Sequence, residues 1–137
     1  MDQRSRRAFL LLILAQAAHS IEEYAAGLYD IFAPARFVSS LVTSDPSQGF
    51  VLANAAVVGF GLWCWAVPVR SGWQAARGLA WCWTLIELAN AIGHAVLAFS
   101  RRGYFPGVAT APLLLLAAAW LAVLQSRPAA RPPVLPS

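Results

Sequence analysis

The sequence predicts an all-α membrane protein, a bundle of about four transmembrane helices with both termini on the cytoplasmic side (N-in/C-in). Three observations lead there. Hydrophobic residues make up 59 % of the chain and charged residues only 12 %, against about 25 % charged in an ordinary soluble domain. Four apolar stretches each approach the roughly 20 residues a helix needs to cross a hydrocarbon layer about 30 Å thick. The arginines gather at the ends of those stretches, where topology signals belong. A soluble domain of 137 residues would leave too much of this apolar surface in water.

The first span runs over about residues 8–28 and opens with the run Phe9 to Leu14. The second covers about 50–68 and ends at Pro68, a residue that breaks helices. The third covers about 79–100, with a start as early as Trp73 open, and the fourth about 108–124 around Leu113 to Leu116. Between the first two spans, Pro34 to Val38 predicts a short interfacial helix, and Ser44-Asp45-Pro46-Ser47 is a turn signal. Residues 1–126 thus form one transmembrane domain, and the tail 127–137, with four prolines, is expected to be disordered.

All ten basic residues are arginine. With the N-terminus inside, Arg4, Arg6, Arg7, Arg70, Arg77, Arg127 and Arg131 face the cytoplasm, and Arg36, Arg101 and Arg102 face outward. The net charge of +4 is therefore spread over helix ends rather than massed in a phosphate-binding patch, which argues against a nucleic-acid partner. Trp63, Trp65, Trp73, Trp81 and Trp83 read as an interfacial belt. Cys64 and Cys82 lie in apolar runs and read as small hydrophobes. Arg4 to Ala17 also has the three parts of a cleavable signal peptide, but the apolar pattern continues beyond Ala17 and favours an uncleaved helix.

Of eight Asp, Glu and His residues, five fall inside the predicted spans: His19, Glu22, Glu23, Glu87 and His94. A carboxylate at the centre of a membrane helix costs about 2.5–3.5 kcal/mol on an insertion scale. Pairing, protonation, a cation or an interfacial position has to lower that cost. At 100° per residue, Gln16, His19, Glu22 and Glu23 share one stripe of the first helix, and Glu87, Asn90 and His94 share one face of the third. Counting at about 1.5 Å per residue from the cytoplasmic ends sets His19 level with Asn90, and Glu22 and Glu23 level with His94. Asn54 of the second helix arrives at a similar depth.

His19-Ser20-Ile21-Glu22-Glu23 is a literal His-x-x-Glu-Glu, and Glu87 to His94 supplies a Glu/Asn/His element downstream. On these two motifs the chain resembles the HXXEE family of small bacterial integral membrane proteins over roughly its first three helices. The resemblance implies a multi-pass protein of the bacterial inner membrane with a catalytic, metal-binding site, and names no substrate.

Read from the residues, two imidazoles and up to three carboxylates suit a divalent metal such as Zn, Fe or Mn. The expected ligands are His19, Glu22 and His94, with Glu23 or Glu87 as general base and Asn90 beside them in the catalytic layer. A full di-iron site asks for four carboxylates, more than are present. The substrate expected of a site inside the bilayer is hydrophobic or lipid-like. Two alternatives stay open: a metal-free isomerase or cyclase using a protonated Glu22 or Glu87, and a non-enzymatic transport or proton-handling subunit. The bilayer is the expected partner, and a homo-oligomer is open.

Overall fold

The computed structural model describes residues 1–127. The expected disordered tail lies, from residue 128 onward, outside the described residues, as does Arg131. Among the described residues the chain is all-helical and has no strand: α1 (Gln3–Ala25), α2 (Leu28–Ile31), α3 (Ala33–Ser40), α4 (Pro46–Cys64), a π-helical turn (Trp65–Val69), α5 (Ala76–Ser100) and α6 (Ala111–Ser126).

The element ends follow from local chemistry. Asp2 caps α1 by accepting the Ser5 amide at 2.7 Å, so the helix begins before the expected residue 8. It stops short of residue 28 because Gly27 turns into the left-handed region at φ +68°, a conformation glycine adopts without Cβ strain. Ser44 to Ser47, expected as a turn, opens α4: the Asp45 carboxylate accepts the amides of Ser47 and Gln48 at 2.9 and 3.1 Å, and Pro46 takes the first helical position. Pro68 does not end this helix as expected. It sits inside the wider π turn, where its missing N–H and its ring bulk are accommodated. The fourth long helix starts at Ala111 rather than 108, because the residues before it are spent on turns.

α6 packs against both α1 and α5, and α4 packs on α1. Their shared core holds Phe9, Leu12 and Ile13 of α1, Cys64 of α4, Ala80 of α5, and Leu114 and Leu121 of α6. Trp83, assigned to an interfacial belt from sequence, belongs to this core, buried edge-on against Phe9 at 6.4 Å between centroids. Trp63 and Trp73 are exposed. At one end of the bundle Trp65 donates to the Arg6 carbonyl (3.1 Å) and Arg77 to the Gln125 carbonyl (2.5 Å). At the other end the segment between α5 and α6 folds over α1, where Tyr104 meets Glu22.

Two helical stretches among the described residues, Pro46–Val69 and Ala76–Ser100, are long and apolar enough to cross a membrane. Only 17 % and 28 % of their apolar windows are buried inside the protein, so most of that apolar surface points outward. α6, with 16 residues, is shorter, and α1 carries the polar stripe that lowers its hydropathy.

Candidate metal centre

His19 and Glu23 stand four residues apart on α1 and so share a face. His94 of α5 packs against that face. Glu23 Oε1 lies 3.0 Å from His94 Nε2 and 3.5 Å from His19 Nε2. One ligand atom from each of the three residues falls within 4.8 Å of the others. The two rings meet edge to face at 4.6 Å. All three residues are buried, with exposures of 0 % for His19, 6 % for Glu23 and 5 % for His94. His19, Glu23 and His94 are therefore a group able to hold a metal ion.

The outward-facing nitrogens of both rings are held by the segment between α5 and α6. His94 Nδ1 is 2.6 Å from the Pro106 carbonyl. A carbonyl only accepts, so Nδ1 carries a hydrogen, while Nε2 faces the Glu23 carboxylate. His19 Nδ1 is 2.8 Å from Thr110 Oγ1. Its Nε2 is buried and has no hydrogen-bond partner. Between these contacts Gly107 passes over the rings at φ +93°, where a Cβ would stand 2.5 Å from His94 Nδ1 and 2.7 Å from His19 Cε1. Only glycine fits there.

Glu22, expected as a ligand beside His19, is turned toward this segment instead. Its Oε1 accepts the Tyr104 hydroxyl (2.7 Å) and the amides of Gly107 and Ala109 (both 3.1 Å). Its Oε2 accepts the Thr110 amide (2.7 Å) and hydroxyl (2.5 Å). Thr110 is the N-cap of α6, so the carboxylate also faces the positive end of that helix.

The other expected site residues form a separate layer one turn away. Asn90 lies 3.5 Å from both Glu87 Oε2 and Gln16 Oε1, contacts at the long limit of a hydrogen bond. Asn90 thus meets Gln16 rather than His19. Gln16 donates to Ser20 (3.1 Å), and Ser20 to Asn54 (2.7 Å), which ties α4 into the layer. Glu87 is 1 % exposed and stays outside the His19, Glu23 and His94 group.

Sequence reasoning missed Tyr104, Pro106, Gly107 and Thr110. Gly103-Tyr104-Phe105-Pro106-Gly107, with two glycines and a proline around two aromatics, is a strong turn signal lying between two apolar stretches, and it was the available clue.

Fold and site together define a helical-bundle protein in which a His-x-x-Glu-Glu helix and a downstream histidine build one buried His₂Glu group. The chain belongs to the family described as "protein of unknown function with HXXEE motif", whose family model matches residues 10–122. No curated protein and no solved structure matches the chain.

Proposed function

We propose that this protein is a four-span membrane protein that holds one divalent cation between His19, Glu23 and His94 and acts on a hydrophobic, lipid-like substrate. One observation carries the reading. A carboxylate and two imidazoles converge in the buried interior, each ring with its far nitrogen against an outer partner, and the His19 Nε2 without a hydrogen-bond partner. Metal-binding histidines characteristically donate their other N–H to such an outer partner. The separations of 3.0 and 3.5 Å from Glu23 Oε1 to the two ring nitrogens bracket the ~3.3 Å that tetrahedral bonds of about 2.0–2.1 Å require, and all three ligand atoms lie within 4.8 Å of one another. Two nitrogens and one oxygen form a borderline set suited to Zn, Fe(II) or Mn(II).

Glu23 takes the ligand place expected for Glu22, whose oxygens are already occupied by five donors. Glu87, with Asn90, is the carboxylate left for handling protons at the substrate. A divalent cation in such a site supplies Lewis acidity. An open apolar groove of about 420 Å³, lined by Ala91, Ala95, Phe99, Val108, Ala111 and Leu115, lies between α5 and α6 beside the His94 turn. It suits a substrate arriving sideways from the bilayer.

Four spans, α1, α4, α5 and α6, in one domain over residues 1–126 accord with the outward-facing Leu11, Leu14, Val57, Phe60, Leu85 and Leu116. Arg6, Arg70 and Arg77 lie at the end of the bundle that joins the N-terminus to the α4–α5 connection, and Arg101 and Arg102 lie at the opposite end. This favours both termini inside the bacterial inner membrane.

The reading is tested by thermal denaturation of detergent-purified, chelator-treated protein with Zn(II), Mn(II) or Fe(II) added. Wild type is expected to gain stability with one of these ions, as any ligand selective for the native state demands. His19→Ala, Glu23→Gln and His94→Ala are expected to lose that gain. No shift with any of the three ions defeats the proposal.

A metal-free reading draws on the 3.0 Å contact between His94 and Glu23. If His94 carries two hydrogens, that contact is an imidazolium–carboxylate pair suited to acid–base work. Activity that survives exhaustive chelation selects it.

A further inference from the structure

We infer that Glu22, acting through Thr110, fixes the ring tautomer of His19, and that the first glutamate of the motif is therefore a positioning residue. The hydrogen-bond inventory requires this. Thr110 Oγ1 has a single hydrogen, two close neighbours, Glu22 Oε2 at 2.5 Å and His19 Nδ1 at 2.8 Å, and a distant third, the Gly107 carbonyl at 3.4 Å. A carboxylate can only accept, so the hydroxyl hydrogen points to Glu22. Turned the other way, two oxygens would face each other at 2.5 Å with no hydrogen between them. Thr110 Oγ1 is then an acceptor toward His19, and Nδ1 must carry the ring hydrogen. Nε2, the atom that faces Glu23, is left with its lone pair free.

The same carboxylate holds the support for His94. It accepts the Gly107 amide, and Gly107 follows directly on Pro106, whose carbonyl receives His94 Nδ1. Both imidazoles thus have their outer nitrogens satisfied by one short segment, and that segment is gathered onto one side chain of α1. Glu22 and Glu23 divide the work: one carboxylate on each side of His19, the first aligning the rings from outside and the second facing them within. The consequence for metal affinity rests on the proposed function; the tautomer assignment does not.

The test uses full-length protein in detergent, ¹⁵N-labelled at its two histidines, with chelator present. Long-range ¹H–¹⁵N spectra report which ring nitrogen of His19 is protonated. Wild type is expected to show Nδ1–H. Glu22→Gln is expected to switch it. The amide group goes where it opposes fewest N–H groups, the Oε2 position, and donates to Thr110, whose hydroxyl then turns to His19 Nδ1. Thr110→Val also favours Nε2–H by removing the acceptor, whereas Thr110→Ser keeps Nδ1–H. Zn(II) affinity is expected to fall about 10–100-fold in the first two variants, the range for loss of a ligand's outer partner, and to stay close to wild type in Thr110→Ser. Nε2–H at His19 in the wild type overturns the inference. So does an unchanged Nδ1–H in both Glu22→Gln and Thr110→Val. The wild-type spectrum alone decides if a variant does not fold. The expected tautomer pattern in a protein that binds no metal defeats the metal reading and leaves this assignment standing; metal binding without the pattern does the reverse.

Discussion

Glu23 Oε1 stands 3.0 Å from Nε2 of His94, so a carboxylate of α1 and an imidazole of α5 share one buried space. Neither group is compatible with a low-dielectric interior alone. Their meeting, with His19 beside them, makes a group that could hold a metal ion.

Glu23→Gln replaces the one anionic member of the group by an amide of the same shape. Metal affinity is expected to fall by about a hundredfold or more, beyond what loss of an outer partner costs, while the fold survives. Calorimetric titration with Zn(II) measures it, and an unchanged affinity removes Glu23 from the ligand set.

Gly107→Ala puts a methyl group 2.5 Å from His94 Nδ1 in a backbone with φ +93°. Strain and overpacking together are expected to cost about 2–5 kcal/mol. Unfolding in mixed detergent micelles gives the value, and a cost below about 1 kcal/mol shows that the segment yields easily.

Tyr104 donates to Glu22, and that bond together with the negative charge raises its pKa above the usual tyrosine value. A raised pKa in the folded state gives a contribution to stability that is complete below the unfolded value near 10 and is lost as pH rises through the folded value. Stability is expected to drop at high pH in wild type and to drop less in Tyr104→Phe. Denaturation midpoints across alkaline pH, with phenolate absorbance followed in parallel, check the sign.

Cys82 is exposed on α5 and Cys64 is buried. In a membrane the surface around Cys82 is lipid, not water. Both thiols are expected to resist a water-soluble, membrane-impermeant maleimide in native membranes and to react after dissolution in SDS. Rapid labelling of Cys82 before dissolution contradicts the span.

Helical periodicity made the stripe on α1 and the face on α5 legible, and hydropathy marked the long helices. It did not decide between Glu22 and Glu23. At 100° per residue they flank His19 at about 60° on one side and about 40° on the other, and only the neighbour on each side assigns their work. Those neighbours depend on the conformation of Gly107 and on a turn that delays the start of α6 to Ala111, features with no periodic signature. Pro68 misled for a related reason: it ends an isolated helix, yet a π turn carries the chain past it. Trp83 shows the same limit, since its burial against Phe9 is set by helix packing rather than by residue type.

The most direct measurement is elemental analysis of protein purified in detergent without chelator, wild type beside His94→Ala. A metal held by His19, Glu23 and His94 gives about one equivalent of a single divalent transition metal in wild type and a large loss in the variant. Less than about a tenth of an equivalent in wild type, after growth with zinc, iron and manganese supplied, contradicts that assignment.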